Sequence, residues 1–378
     1  MHHMTQKPAA MFGIEFPLFA FSHCRDVVVA VSKAGGLGVF GALHYTPEQL
    51  REELRWIEAH VDGHPYGIDL VMPEKFVRAQ GRQEFVAEDL WAMVPEGHAR
   101  FAGELCDRYG VPPLREGAQL RDTAALAWSE QVARQQLEVA LEFSPVLLVN
   151  ALGVPPADVV ARVQARGIKV GALAGRVRHA IKQKEAGVDL IIANGYEAAG
   201  HTGEITTMVL VPQVVEAVAP LPVLAAGGIA TGRQMAAAMV LGAQGVWTGS
   251  VWLTSAESEL DPVVRDKLVA ASSEQTARTR CITGKPARHL ITPYTEAWDA
   301  PDTPDPLPMP LQTMATTAAL TRISRALQAG SDGARELVTS PAGQAIGLIT
   351  QVRGCRQIVQ EFRESFADAL VQIADGGI

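Results

Sequence analysis

Eight short apolar runs, mostly separated by segments of helical character, constrain this 378-residue chain more than any other feature. They fall at residues 14–21, 37–43, 66–72, 146–150, 168–173, 188–193, 222–226 and 246–248. Runs this short, bounded by glycine and proline, read as buried strands rather than helices. Between them, segments at 26–34, 177–186 and 232–241 have helical character and stop at Gly35, Gly187 and Gly242, the usual C-terminal signal. A further helix opens at Pro155-Pro156 and closes at Gly167, and another is expected over 212–219. Thr46-Pro47-Glu48-Gln49 carries a capping box with proline at the first helical position, so a helix starts there and runs through Leu50, Leu54 and Ile57.

Alternating strands and helices imply an α/β fold with a parallel sheet, and eight strands favour a closed (β/α)8 TIM barrel. A doubly wound open sheet is the alternative. No dinucleotide fingerprint follows the first strand, because Gly35-Gly36-Leu37-Gly38 lies between a helix and a strand. Residues 14–73 and 145–254 would form the barrel. Residues 74–144, without a convincing strand, read as a helical insertion after strand three, a lid or a contact surface. Residues 255–378 read as an irregular, proline-rich excursion after strand eight, then helices near 315–329 and 351–373 that pack back on the barrel. The small-residue loop at 340–347 lies between those helices and could approach a ligand.

Composition excludes several classes. Net charge is −8 with both signs interspersed, which argues against a nucleic-acid or anionic-membrane surface. Arg278, Arg280, Lys285 and Arg288 cluster loosely and read as a solvated loop. The four cysteines are scattered without CxxC or Cys/His spacing, so no metal is expected and a reduced, cytoplasmic protein is the default. There is no signal-peptide core at the start and no uninterrupted apolar run of 18 residues. A GxSxG elbow and an HExxH pair are both missing, which disfavours serine and metal hydrolysis.

In a barrel the active site lies at the C-terminal strand ends. Strand six ends in Asn194-Gly195-Tyr196-Glu197-Ala198-Ala199-Gly200-His201-Thr202-Gly203, where glycines allow close backbone approach to a flat ligand. His201 could act there as a general base near neutral pH. The plain alternative is a turn with an exposed histidine. Strands seven and eight end in Gly227-Gly228 and Gly249-Ser250, which expose backbone N–H groups beside a helix start and suggest a phosphate cradle. His23, at the end of strand one, could reach the same mouth or merely cap its strand.

These motifs resemble the nitronate monooxygenases, once called 2-nitropropane dioxygenases. Residues 193–203 resemble that family's Gln-Gly-x-Glu-Ala-Gly-Gly-His-x-Gly motif, and 30–38, 223–229, 242–250, 283–288 and 341–346 are also similar to it. The resemblance implies an FMN-dependent barrel. His201 would be the catalytic base and, with His23, would face the substrate. Gly227, Gly228, Gly249 and Ser250 would hold the FMN phosphate, and Ala199 and Gly200 would pass close to the flavin. Ala20, Asp69, Asn150, Asn194 and Gly195 complete the expected flavin-binding set. Departures are plain: the family's Gln and Met after strand one are missing, Asp69 stands where an Asn is usual, Asn194 replaces a Gln, and Ala199 replaces a Gly. The expected reaction is oxidative denitrification of alkyl nitronates, with a small-molecule substrate and O2 as partners, no nucleic acid and no membrane. A homodimer stays open. The rival readings are a flavin enoyl-thioester reductase using NAD(P)H, an NADH:quinone reductase of the same superfamily, and a phosphate-binding barrel without redox activity.

Overall fold

A computed structural model describes residues 7–72, 87–115 and 130–376. In chain order the strands are β1 Leu18–Ser22, β2 Leu37–Gly41, β3 Tyr66–Leu70, β4 Leu147–Asn150, β5 Lys169–Ala174, β6 Leu190–Asn194, β7 Gly200–His201, β8 Val223–Ala226, β9 Gly245–Thr248, β10 Thr276–Thr279 and β11 Ala287–Leu290. Eight of them close a parallel barrel in the order β1-β2-β3-β4-β5-β6-β8-β9. The last pairing sets Leu18 against Val246, Phe19 against Trp247 and Ala20 against Thr248. The chain is therefore a TIM barrel with surrounding helices, as its alternation of elements implies. All eight apolar runs supply barrel strands, with ends shifted by a few residues.

Side chains alternate across each barrel strand. Phe19, Leu37, Val39, Leu147, Val149, Leu190, Ile192 and Leu224 fill the interior. Their neighbours Leu18, Ala20, Phe40, Ile68, Leu148, Val170, Ile191, Val223 and Val246 face the helix layer. The N-terminal mouth is plugged by a short helix, Pro8–Phe12, whose Phe12 meets Phe19 edge-on at 5.4 Å. Nothing in the hydrophobic pattern pointed to that helix.

The capping box opens helix Pro47–His60: the Thr46 side chain accepts from Gln49 N, and the Gln49 side chain accepts from Thr46 N. The helix expected over 212–219 instead spans Thr207–Val218, with Pro212 inside it. Proline usually interrupts a helix. Here a buried stripe of Thr207, Leu210, Val211, Val214 and Val218 holds the element through it.

Within the 74–144 insertion, helices Ala87–Ala92, Glu96–Arg108 and Glu130–Ala140 are described, and residues 74–86 and 116–129 lie outside the described residues. The excursion after the last barrel strand is not irregular. It holds helix Pro262–Ala270, helix Pro293–Trp298, and β10 and β11, which join β7 in an antiparallel sheet. These strands are short and rich in polar residues, so no alternating apolar run marked them. The C-terminal helices span Leu311–Gln328 and Cys355–Asp375. The second packs on helices Gly232–Val240 and Arg25–Lys33. No helix among the described residues is long and apolar enough to cross a membrane.

Gly38, on the outward face of β2, shows how tightly this layer is built. A Cβ there would strike the backbone of Val28 in helix Arg25–Lys33. Gly38→Ala is expected to cost about 1–3 kcal/mol through overpacking, read as a lower urea midpoint at unchanged m-value. Unchanged stability would mean that this helix can retreat from the barrel.

Candidate active site

The same alternation that fills the barrel decides which strand ends reach its C-terminal mouth. Phe21, Gly41, Asp69, Leu173, Asn194, Ala226 and Trp247 share the inward face and floor a cavity of about 1530 Å³. Phe21 and Trp247 stack there, with ring centroids 5.9 Å apart. Two expected flavin contacts fall on the other face. Ala20 is fully buried towards the helices, and Phe21 takes its place at the mouth. Asn150 is likewise outward; its side chain accepts from Met72 N at 2.9 Å and donates to Met72 O, bracing the segment after β3. Gly195 also stays off the cavity wall. A Cβ there would collide with Thr207, so this glycine serves packing beneath the loop.

The other expected positions line one cavity: His23, Asp69, Asn194, Ala199, Gly200, His201, Gly227, Gly228, Gly249 and Ser250. Gly227 and Gly228 have φ of 102° and 73°, a conformation that side chains disfavour. A Cβ on Gly249 would meet nothing within 4 Å, so open space adjoins its backbone. Ser250 Oγ accepts from Gly343 N at 2.9 Å, which fastens the 340–347 loop to this rim, and Pro341 and Ala345 of that loop line the cavity. Glu197 packs close to Gly228, and its carboxylate is occupied by Thr207 N and Oγ1. A chain of open backbone with its nearby carboxylate already engaged suits a phosphate.

His201 reaches the cavity on β7. That strand pairs with β11, setting His201 against Ala287 and Gly200 against Arg288. Asn194 Nδ2 donates to His201 O at 3.2 Å, tying the end of β6 to the same strand. His201 Nδ1 lies 3.3 Å from Pro286 O, so Nδ1 is the donor and the lone pair of the neutral ring sits on Nε2. Burial, then the nearby Lys285 ammonium, push its pKa down to about 4, against the opposing pull of the Pro286 carbonyl. His289, two residues beyond Ala287, lines the cavity as well and was missed in the sequence. Its burial, with His201 beside it, lowers its pKa to about 4. The signal was its place right after the 283–288 segment, but only the β7–β11 register turns it inward. Arg288, expected in a solvated loop, is buried and lies over the Tyr196 ring at 4.6 Å.

His23 sits across the mouth. Its Nδ1 donates to Gly41 O at 2.8 Å, and its ring contacts Phe21 and His44. Burial lowers its pKa despite that bond.

The sequence profile described as nitronate monooxygenase matches residues 8–364. The chain belongs to this family. A relative named "Putative monooxygenase Rv1533", from Mycobacterium tuberculosis, is 48% identical over 98% of each chain. A relative named "Probable nitronate monooxygenase", from Staphylococcus aureus, is 28% identical over 90% of this chain and 91% of its own. The structure of nitroalkane oxidase from Streptomyces ansochromogenes superposes with a TM-score of 0.76 at 24% identity, covering 95% of this chain and 98% of that one, and shares the fold.

Membership of the nitronate monooxygenase family makes this a flavin-type oxidoreductase and gives the cavity its meaning. Its floor carries Asp69, a buried carboxyl. Burial raises its pKa well above the usual carboxylate range, and no hydrogen bond to that carboxyl forms among the described residues. The folded protein therefore holds this proton while the unfolded chain releases it above its own pKa of about 3.9. Folding stability attributable to Asp69 is full below that value and falls as pH rises towards the folded pKa. Asp69→Asn should raise the melting temperature of the ligand-free protein, by more at pH 8 than at pH 5. A gain that does not grow with pH would show that Asp69 is already ionised in the fold.

Proposed function

We propose that this protein is an FMN-dependent nitronate monooxygenase that oxidatively denitrifies alkyl nitronates with O2, and that His201 is its base. The observation that carries the proposal is His201 itself. A neutral imidazole, anchored at Nδ1 by Pro286 O, lines the same cavity as the glycine cradle of Gly227, Gly228, Gly249 and Ser250. The cradle would hold the FMN phosphate, with Ala199 and Gly200 beside the flavin and the Phe21–Trp247 floor beneath. When bound, FMN would supply the electron-accepting chemistry that no side chain here can provide.

The chain's own part is proton transfer and orientation. His201 Nε2 takes the α-proton of a neutral nitroalkane, and the negative charge developing beside it offsets the low basicity that burial imposes. A substrate supplied as nitronate needs no such step. The antiparallel β7–β11–β10 sheet and the 340–347 loop wall the mouth through Gly200, His201, Ala287, His289, Pro341 and Ala345. Four buried, free cysteines support a reducing compartment such as the cytoplasm.

The purified protein should be yellow, release FMN rather than FAD on denaturation, and consume O2 when given propionate-3-nitronate. A flavin bleached by NADH yet indifferent to nitronate would move the protein to the reductase branch. His201→Asn should keep the flavin and lower kcat/KM for neutral nitroalkanes by about 10²–10⁴, with a much smaller loss on preformed nitronates. Equal loss on both substrates would sink the general-base role.

The lowered pKa of His201 sets the pH dependence. His201 is active when unprotonated, so kcat/KM for nitroethane should stay level down to about pH 5 and fall only as pH approaches about 4. An acid limb near pH 6.5 would show that the imidazole is not desolvated in the working enzyme.

A further inference from the structure

We propose that His289 is the hydrogen-bond donor to the substrate's oxyanion, the complement of His201 as proton acceptor, so that one cavity wall carries an acid-base pair made of two neutral histidines in opposite tautomers. The inference rests on the nitronate reading above and adds a residue to it.

The register of β7 and β11 supplies the geometry. His201 faces Ala287, and His289 lies two residues further along the same face of β11. Such diagonal neighbours stand roughly 7–8 Å apart, close enough for one small planar ligand to touch both. His201, Ala287 and His289 all line the cavity. The intervening Arg288 points the other way, donating to Tyr196 O and Thr276 O.

The tautomers are set by the contacts of each ring. His201 spends its Nδ1–H on Pro286 O, leaving Nε2 as an acceptor. His289 is 5% exposed, and its Nδ1 is buried with no hydrogen-bond partner among the described residues. A buried N–H without an acceptor is rarer and costlier than a bare acceptor, so the proton belongs on Nε2. That nitrogen makes no protein hydrogen bond among the described residues either. An imidazole so placed is satisfied only by a ligand or water entering the cavity.

The step balances without another reagent. The substrate Cα–H bond breaks, and the proton goes to His201 Nε2. The electron pair forms the C=N bond of the nitronate, and negative charge moves onto the nitro oxygens, where His289 Nε2–H meets it. Each histidine stays neutral until the substrate arrives. With its proton on Nε2 and its bare Nδ1 buried, His289 offers the cavity a donor and no acceptor that could compete for the proton.

The test reads the tautomers first. In the holoenzyme labelled with 15N-histidine, two-bond 1H–15N correlation should report Nδ1–H at His201 and Nε2–H at His289. An Nδ1–H tautomer at His289 overturns the assignment. Nitrate, a planar anion resembling the nitronate group, is then titrated against the flavin spectrum. His289→Leu should weaken nitrate about 10- to 100-fold, as expected for loss of a hydrogen bond to a charged group, whereas His289→Gln, which keeps a donor, should stay within about threefold of that value for the native enzyme. Unchanged nitrate affinity in His289→Leu also overturns the proposal, and the tautomer measurement stands even if that variant fails to fold. Correct tautomers and nitrate binding in a protein that ignores nitronates would support the pair and overturn the nitronate reading instead.

Discussion

Closure of the barrel between β1 and β9 fixes what nearly every other residue can do. Once Phe19 is set against Trp247 and Ala20 against Thr248, the inward or outward sense of each strand is decided by the two-residue period. The interior then fills with Phe19, Leu37, Leu190 and Leu224, and the mouth receives the next inward positions: Phe21, Gly41, Asp69, Asn194 and Trp247. Slippage by one residue would carry Asp69 into the apolar helix layer and Ile68 to the floor. The site is thus a consequence of register before it is a consequence of chemistry.

Register also separates the features that are legible in the sequence from those that are not. The barrel strands are local signals: short apolar runs whose flanking glycines end the neighbouring helices. The cradle was legible for the same reason, since Gly227-Gly228 and Gly249-Ser250 come directly after the last two barrel strands. Ala20 and Asn150 were placed at the flavin by resemblance alone. Applying the alternation to Leu18–Ser22 and Leu147–Asn150 would have sent both towards the helices. His289 is different in kind. It faces the cavity only because β11 pairs with a two-residue strand 86 positions earlier. No local pattern announces an antiparallel pairing of that length, and Arg278 on β10 and Arg288 on β11 read as solvated charges until both are found against the Tyr196 ring.

Burial ties the electrostatics of the mouth together. His23, His201 and His289 are all less basic than free imidazole, and Asp69 is less acidic than a free carboxyl, each mainly because the site excludes water. The common outcome is that burial favours the neutral form of these four groups, although Glu52, Glu53, Glu259 and Arg325 line the same cavity. Neutral imidazoles do not repel an anionic substrate and do not hold one tightly either. At the histidine wall, hydrogen bonds and their polarity then decide what binds.

The barrel and the segment after it divide the work accordingly. β8 and β9 supply the glycine cradle, a feature many barrels can offer to phosphate. The residues that would distinguish substrates lie in the later segment or are held by it: Pro286 anchors His201, β11 carries His289, and the 340–347 loop is fastened to Ser250 by Gly343. The same segment walls the mouth and so contributes to the burial that lowers the imidazole basicities. Changing that wall would alter proton chemistry and substrate choice while leaving the cradle in place. Changing the barrel register would lose both.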